Sequence, residues 1–400
     1  MSHSTANPSG QRLFFLDNLR YFIVLCVIVL HAALAHSKLT PWWPVQEVDP
    51  GMATVFDVIV LITDVFIMPI MFFIAGFFAL RTIRKKGVWL FIQSKLTRIG
   101  IPLLIGATVI VPVIGYIYEY FRSTGAASSG YAAYWITYLK GFGDFYVGYI
   151  TSYTQPSHNY FWFLSLLFWF FVIFACLYAM KAKWFGNKTV VPEPKDSKDS
   201  FALPVLLGLG MVTGMSLVVM VPLFTVQGHE PWVIIANLVQ FQPTRLFLYV
   251  FYFPAGIYAA WKGWFTNGNA VGRLKIWLPF CLAMMLLFLD SVQKMGGGAT
   301  PSLSVLLVYC FSRAFLCLAI FMVLISFAYR YWNRDSKVNR TLAANSYGIY
   351  ILHMPIVLGL GLALASWAGV PVIIKFSIVT AASTLLSWSI SRVALKPAGL

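Results

Sequence analysis

Charged residues are scarce in this chain: Asp, Glu, Lys and Arg together make up 10% of 400 residues, with 13 acidic against 29 basic side chains. With 60% hydrophobic residues, there is too little polar surface to wet a soluble domain. Cysteine is sparse as well. Cys26, Cys176, Cys281, Cys310 and Cys317 all fall in apolar stretches without CxxC spacing, and so read as small core residues rather than disulfides or metal ligands. No His is followed by HxxxxD spacing, and the GxSxG elbow, the GxxxxGK phosphate loop and the HExxH zinc pair are all missing. Serine hydrolase, nucleotide triphosphatase and zinc chemistry are not expected, and no metal site is assigned.

Long apolar runs are what the chain has in abundance. Windows able to cross a hydrocarbon core of about 30 Å occur near 14–34, 53–80, 99–120, 160–181, 202–226, 243–261, 274–290, 303–329, 342–365 and 371–391. The expected fold is all-α: a single polytopic membrane domain, residues 1–400, with about ten transmembrane helices in one bundle. Residues 1–12 are polar and no small-residue cleavage site follows the first run, which reads as a retained helix. Placing the N-terminus inside puts 21 of the 29 Lys and Arg in cytoplasmic segments and six in outer ones, so both termini are expected in the cytoplasm. The +16 net charge then reflects topology, and no nucleic-acid partner is implied. Two connections stand out: an outer stretch, 121–158, rich in Gly, Ser, Tyr and Trp, and a flexible inner tether, 183–200. No internal repeat of the kind common in transporters is evident. Gly210 and Gly214 have the spacing of close helix packing.

Within this apolar background a few polar residues are conspicuous. Arg20 and His31 lie eleven positions apart in the first helix, about three turns, so they share a face about 16 Å apart along the axis. Asp17 extends the stripe, which should face a polar interior. His31 could take a proton from a hydroxyl; alternatively a backbone carbonyl caps it. The basic stretch from Arg81 to Arg98 would suit an anionic ligand, with Lys95 and Arg98 as contacts, although positive-inside anchoring accounts for most of these charges. Tyr347, Tyr350 and His353 are three apart, and Pro355 removes the helical partner of the Ile351 carbonyl, predicting a kink or polar niche beside His353. Asp57 and Asp64 could offset Arg20 or orient His31, and Arg313 requires a counter-charge. His158 and Trp162 open the fourth window in an aromatic belt, and with Tyr350 and Asp64 they are the candidate substrate contacts. His3, His36 and His229 are assigned no role.

Taken together these elements resemble the acyltransferase 3 family of membrane-bound O-acyltransferases, whose first helix carries Arg, ten residues, then His. Leu16-Asp17, the FFIAGFF end of the second window, Lys95-Leu-Thr-Arg98-Ile-Gly-Ile-Pro102, Trp162-Phe-Leu164 and Tyr350-Ile-Leu-His353-Met-Pro355 follow in the family's order across nearly the whole chain. KLTRIGIPLL and FFLDNLR are similar to the branch that includes glucans biosynthesis protein C. That branch has His directly before its WFL element and paired His before Pro, whereas here His158 stands four residues ahead of Trp162 and His353 precedes Met354. The resemblance implies a multi-pass protein of the cell inner membrane that moves an acetyl or succinyl group from cytosolic acyl-CoA to a hydroxyl of an extracytoplasmic saccharide or glucan. Acyl-CoA would be a co-substrate, with no permanently bound cofactor. Partners would be the donor, the saccharide acceptor and membrane lipids. Arg20, Lys95 and Arg98 would steady the donor, His31 would act as base with Arg20 and His353 beside it, and His353 and Tyr350 would position acceptor or thioester. An exporter of polysaccharide or small amphiphiles is the competing class.

Overall fold

The computed structural model describes residues 13–122, 130–144, 146–151, 155–185, 202–225, 230–265, 272–296 and 301–395. The helices are α1 (Phe14–Leu34), α2 (Ala53–Lys95), α3 (Ile101–Ile105), α4 (Val111–Arg122), α5 (Gly130–Gly141), α6 (Trp162–Phe185), α7 (Ala202–Phe224), α8 (Pro243–Trp261), α9 (Leu274–Met295), α10 (Leu303–Tyr331), α11 (Lys337–Ala365) and α12 (Val372–Ile390). Three short strands, β1 (Val147–Tyr149), β2 (Val233–Ile235) and β3 (Val239–Phe241), form one antiparallel sheet. The chain is an all-α polytopic membrane protein with this small sheet attached.

Every expected apolar window falls on a helix. Eight helices among the described residues are long and apolar enough to cross a membrane. The second and third windows merge into one run, Ala53–Phe121, because the stretch between them is helical too: π-helical turns Leu96–Gly100 and Gly106–Ile110 join α2, α3 and α4. At about 1.5 Å per residue such a run would be far longer than a bilayer is thick, so it has to turn. Gly87 supplies a break, with φ 77° and ψ 169°, a backbone that only glycine adopts easily. The sixth window, α8, is helical, but its arginine, prolines and tyrosines keep it outside those eight.

The long stretch 121–158 carries regular structure of its own. It contains α5 and β1, and β1 pairs with β2, which lies beyond α7. The β2–β3 hairpin turns at Ala236 and Asn237, both with positive φ, and Leu238 N–H closes it on the Ile235 carbonyl at 2.9 Å. The tether 183–200 lies mostly outside the described residues, as do His3 and His229.

Packing depends on close backbone approach. α2 meets α8 through Gly76 and Gly256: a Cβ on Gly76 would overlap the Phe253 carbonyl, and one on Gly256 the Phe73 carbonyl. Gly210 and Gly214 take the rings of Phe315 and Phe311 from α10, the close packing expected of their spacing. Phe72 stacks on Tyr249 at 4.7 Å, and Phe73 meets Phe321 edge-on at 4.5 Å. α1 packs against α2 on one side and α11 on another, which positions the residues described next.

Candidate active site

α1 and α11 bring His31 and His353 together, with ring centroids 5.0 Å apart and a tilt of 53°. His31 Nδ1 lies 2.8 Å from the Val27 carbonyl, one turn back, and His353 Nδ1 lies 2.6 Å from the Tyr350 carbonyl. A carbonyl only accepts, so each neutral ring carries its proton on Nδ1 and leaves the Nε2 lone pair as a base. The backbone cap expected for His31 is present, on Nδ1. His353 is fully buried, and its Nε2 has no hydrogen-bond partner.

The niche around His353 follows from Pro355. Without an N–H at that position, the Ile351 carbonyl has no helical donor, and the Tyr160 hydroxyl donates to it at 2.5 Å. Tyr350 returns the tie by donating to the Tyr160 carbonyl, also at 2.5 Å. The Tyr160 ring stands edge-on to His353 at 5.2 Å. The Tyr350 hydroxyl, expected as a substrate contact, thus clasps α11 to the start of α6, and Tyr350 is buried.

His31 opens on a narrow recess whose lining includes His36, Trp43, Glu47 and Lys375 with an apolar wall from α11 and α12. His36, assigned no role from sequence, hydrogen-bonds through Nδ1 to the Glu47 carbonyl at 2.9 Å, and Lys375 Nζ donates to Glu47 Oε1. Burial, aided by the Lys375 charge and opposed by Glu47, holds His36 below the usual histidine pKa. Three segments distant in sequence build this recess, so periodicity could not reveal it. The one available signal was a lone Lys inside the last apolar window.

Arg20 looks onto α11 as well, but a long way from the recess, and it is not part of the lining. Its guanidinium donates to the Ala343 carbonyl at 3.1 Å and lies 3.5 Å from Asp17. The shared face of Arg20 and His31 is real in the sense that both meet α11, at Ala343 and His353 respectively. The recess at His31 does not reach Arg20.

Asp57 and Asp64 partner neither Arg20 nor His31. Asp57 accepts from the Ser37 hydroxyl at 2.6 Å and the Lys38 N–H at 2.9 Å. Asp64 pairs with Arg245 and, at 3.6 Å, with Arg313. Glu230 completes this cluster, 2.7 Å from Arg245 and 3.2 Å from Arg313. Two guanidiniums and two carboxylates cancel, as desolvated charges require. Burial raises the Glu230 pKa, but Arg245 and Arg313 overcome it and hold the carboxyl near 2. Tyr309 adds a hydroxyl to Arg313 at 2.9 Å.

His158 is buried under the hairpin: its N–H donates to Gln240 at 2.6 Å and its Nε2 lies 3.0 Å from the Asn237 carbonyl. Burial pushes its pKa down to about 4. Trp162 packs on Trp232 at 5.3 Å and Tyr249 at 5.4 Å. Neither lines the recess. Lys95 sits over the Phe171 ring at 3.9 Å, and Arg98 is exposed on the following turn. That segment packs against α6, whereas Arg20 meets α11.

A family profile described as an acyltransferase domain matches residues 13–392. The chain belongs to the acyltransferase 3 family. The match spans nearly the whole chain and does not single out the glucans biosynthesis protein C branch. No curated protein and no solved structure matches it. Of the polar groups singled out from the sequence, His31 is the one that lines the recess, with His353 packed against it.

Proposed function

We propose that this acyltransferase carries an acyl group from cytosolic acyl-CoA to a saccharide hydroxyl on the opposite side of the membrane, with His31 as general base. The observation that carries the reading is the His31–His353 pair, in which Nδ1 of each ring is tied to backbone and His31 borders the recess. His31 Nε2 takes the hydroxyl proton as the oxygen attacks the thioester carbonyl. The C–S bond then breaks, and the departing CoA sulfur receives the proton from the imidazolium. His353 touches His31 and sets its surroundings; Tyr350 and Tyr160 set the position of His353.

The basic face of the chain supports the direction. Arg20 lies about 16 Å from His31 along α1, toward the end where Arg81, Arg84, Lys85, Lys86, Lys95 and Arg98 would be cytoplasmic, a setting suited to donor phosphates. Both chain ends would share that side. An acetyl or succinyl donor fits this scheme, as does a glucan acceptor. The test is CoA release by the purified protein in nanodiscs, followed with a thiol reagent, together with the mass of the acceptor. Wild type should release CoA in proportion to acylated sugar, and His31→Ala should insert normally yet release none. Unchanged free CoA with sugar crossing the bilayer would instead identify an exporter.

A further inference from the structure

The recess beside His31 contains an ion pair that the transfer step itself does not use. Lys375, from α12, is 3% exposed, while the Glu47 side chain is 36% exposed. Both line the recess. Glu47 is held firmly: its N–H donates to the Ala35 carbonyl at 2.8 Å and its carbonyl accepts from His36. The Glu47 backbone is thereby held close to the end of the helix that carries His31.

A carboxylate offers about four acceptor positions and an ammonium three donors, and the Lys375–Glu47 contact occupies one of each. The pair therefore presents donors and acceptors side by side with no net charge. A hydroxyl both donates and accepts and is satisfied on such a surface, whereas an anion would be repelled by the Glu47 carboxylate. Trp43, Val357, Leu358 and Val379 give the rest of the recess an apolar lining. The recess is narrow, with room for a hydroxyl group and not for a whole ring. We infer that the Glu47–Lys375 pair is an acceptor-recognition site, which seats a neutral polyhydroxyl ligand beside His31 and turns away anionic ones. The inference rests on the acyl-transfer reading for which hydroxyl reacts, but binding alone tests it.

The experiment compares methyl β-glucoside with methyl β-glucuronide on the full-length protein in nanodiscs, by equilibrium dialysis and by acyl transfer from acetyl-CoA and succinyl-CoA. Wild type should prefer the glucoside by at least about tenfold. Glu47→Gln, which leaves the Lys375 charge uncompensated, should shift the preference toward the glucuronide by about the same factor, and Glu47→Asp should keep the wild-type order. An unchanged preference in Glu47→Gln, or no binding of either sugar by wild type, overturns the proposal. Where Glu47→Gln does not fold, Lys375→Gln decides: a loss of about tenfold or more in glucoside affinity supports the site, and wild-type affinity removes it. Sugar binding without CoA release would sink the transfer reading and leave this one standing.

Discussion

The Tyr160 hydroxyl donates to the Ile351 carbonyl at 2.5 Å, filling the gap that Pro355 leaves in α11. Tyr160→Phe should therefore leave a buried carbonyl unsatisfied, at a cost of about 1–3 kcal/mol, and loosen His353 beside it. Thermal unfolding in detergent should show a lower midpoint, and turnover should fall. Adding Pro355→Ala restores an N–H at the right position, so the double variant should recover most of the stability. A purely additive loss would remove this account of the niche.

Histidine 31 is the base in the proposed transfer, and its loss should lower turnover by about 10²–10⁴-fold. His31→Ala should retain its thermal midpoint within a few degrees, because one side of the ring borders the recess. His353→Ala should be worse tolerated structurally, since that ring is fully buried against Tyr160 and Tyr350. Turnover and melting midpoint measured on both variants separate the two roles.

Charge balance in the Asp64–Arg245–Glu230–Arg313 cluster makes a prediction about acid. Glu230 is held near pKa 2 against an ordinary value of 4.5, so its stabilising contribution is complete above about pH 4.5. It should fade as pH falls toward 2. The midpoint of wild type should drop across that window. Glu230→Gln should start lower, by about 3–5 kcal/mol for two guanidiniums sharing one carboxylate, and show a shallower decline. Parallel slopes in the two proteins would contradict the assignment.

Gly76→Ala and Gly256→Ala should each destabilise by about 1–3 kcal/mol or more, because the added methyl meets backbone that cannot swing aside. Gly359→Ala is the matched control: nothing lies within 4 Å of a Cβ there, and its midpoint should hold or rise slightly. Equal effects at all three would place the α2–α8 contact in error.

The helices were readable because apolar runs of spanning length have few alternatives, and each window became a helix. What escaped was how they join. Val147 pairs with Ile235 across the whole of α6 and α7, and strands of three residues carry too little alternation to be seen. The hairpin turns on Ala236-Asn237, without the glycine that usually announces one. Arg20, His31 and His353 stood out because ionisable groups are costly in hydrocarbon. Their partners did not: Asp64 finds Arg245 across 181 positions, and Lys375 finds Glu47 across 328, distances over which helical periodicity is silent. Arg313 visibly required a counter-charge, but only the folded chain supplies Glu230.

The break at Gly87 has a mechanical consequence. Arg81, Arg84, Lys85 and Lys86 lie just before the elbow, and Trp89, 75% exposed, and Leu90, 54% exposed, just after it. Cations on one arm and an indole on the other are the side chains that hold to a water–lipid boundary. The elbow thus works as a depth gauge: it fixes how far α2 can sink or rise, and α1 and α8, packed on that helix, are held at the same level.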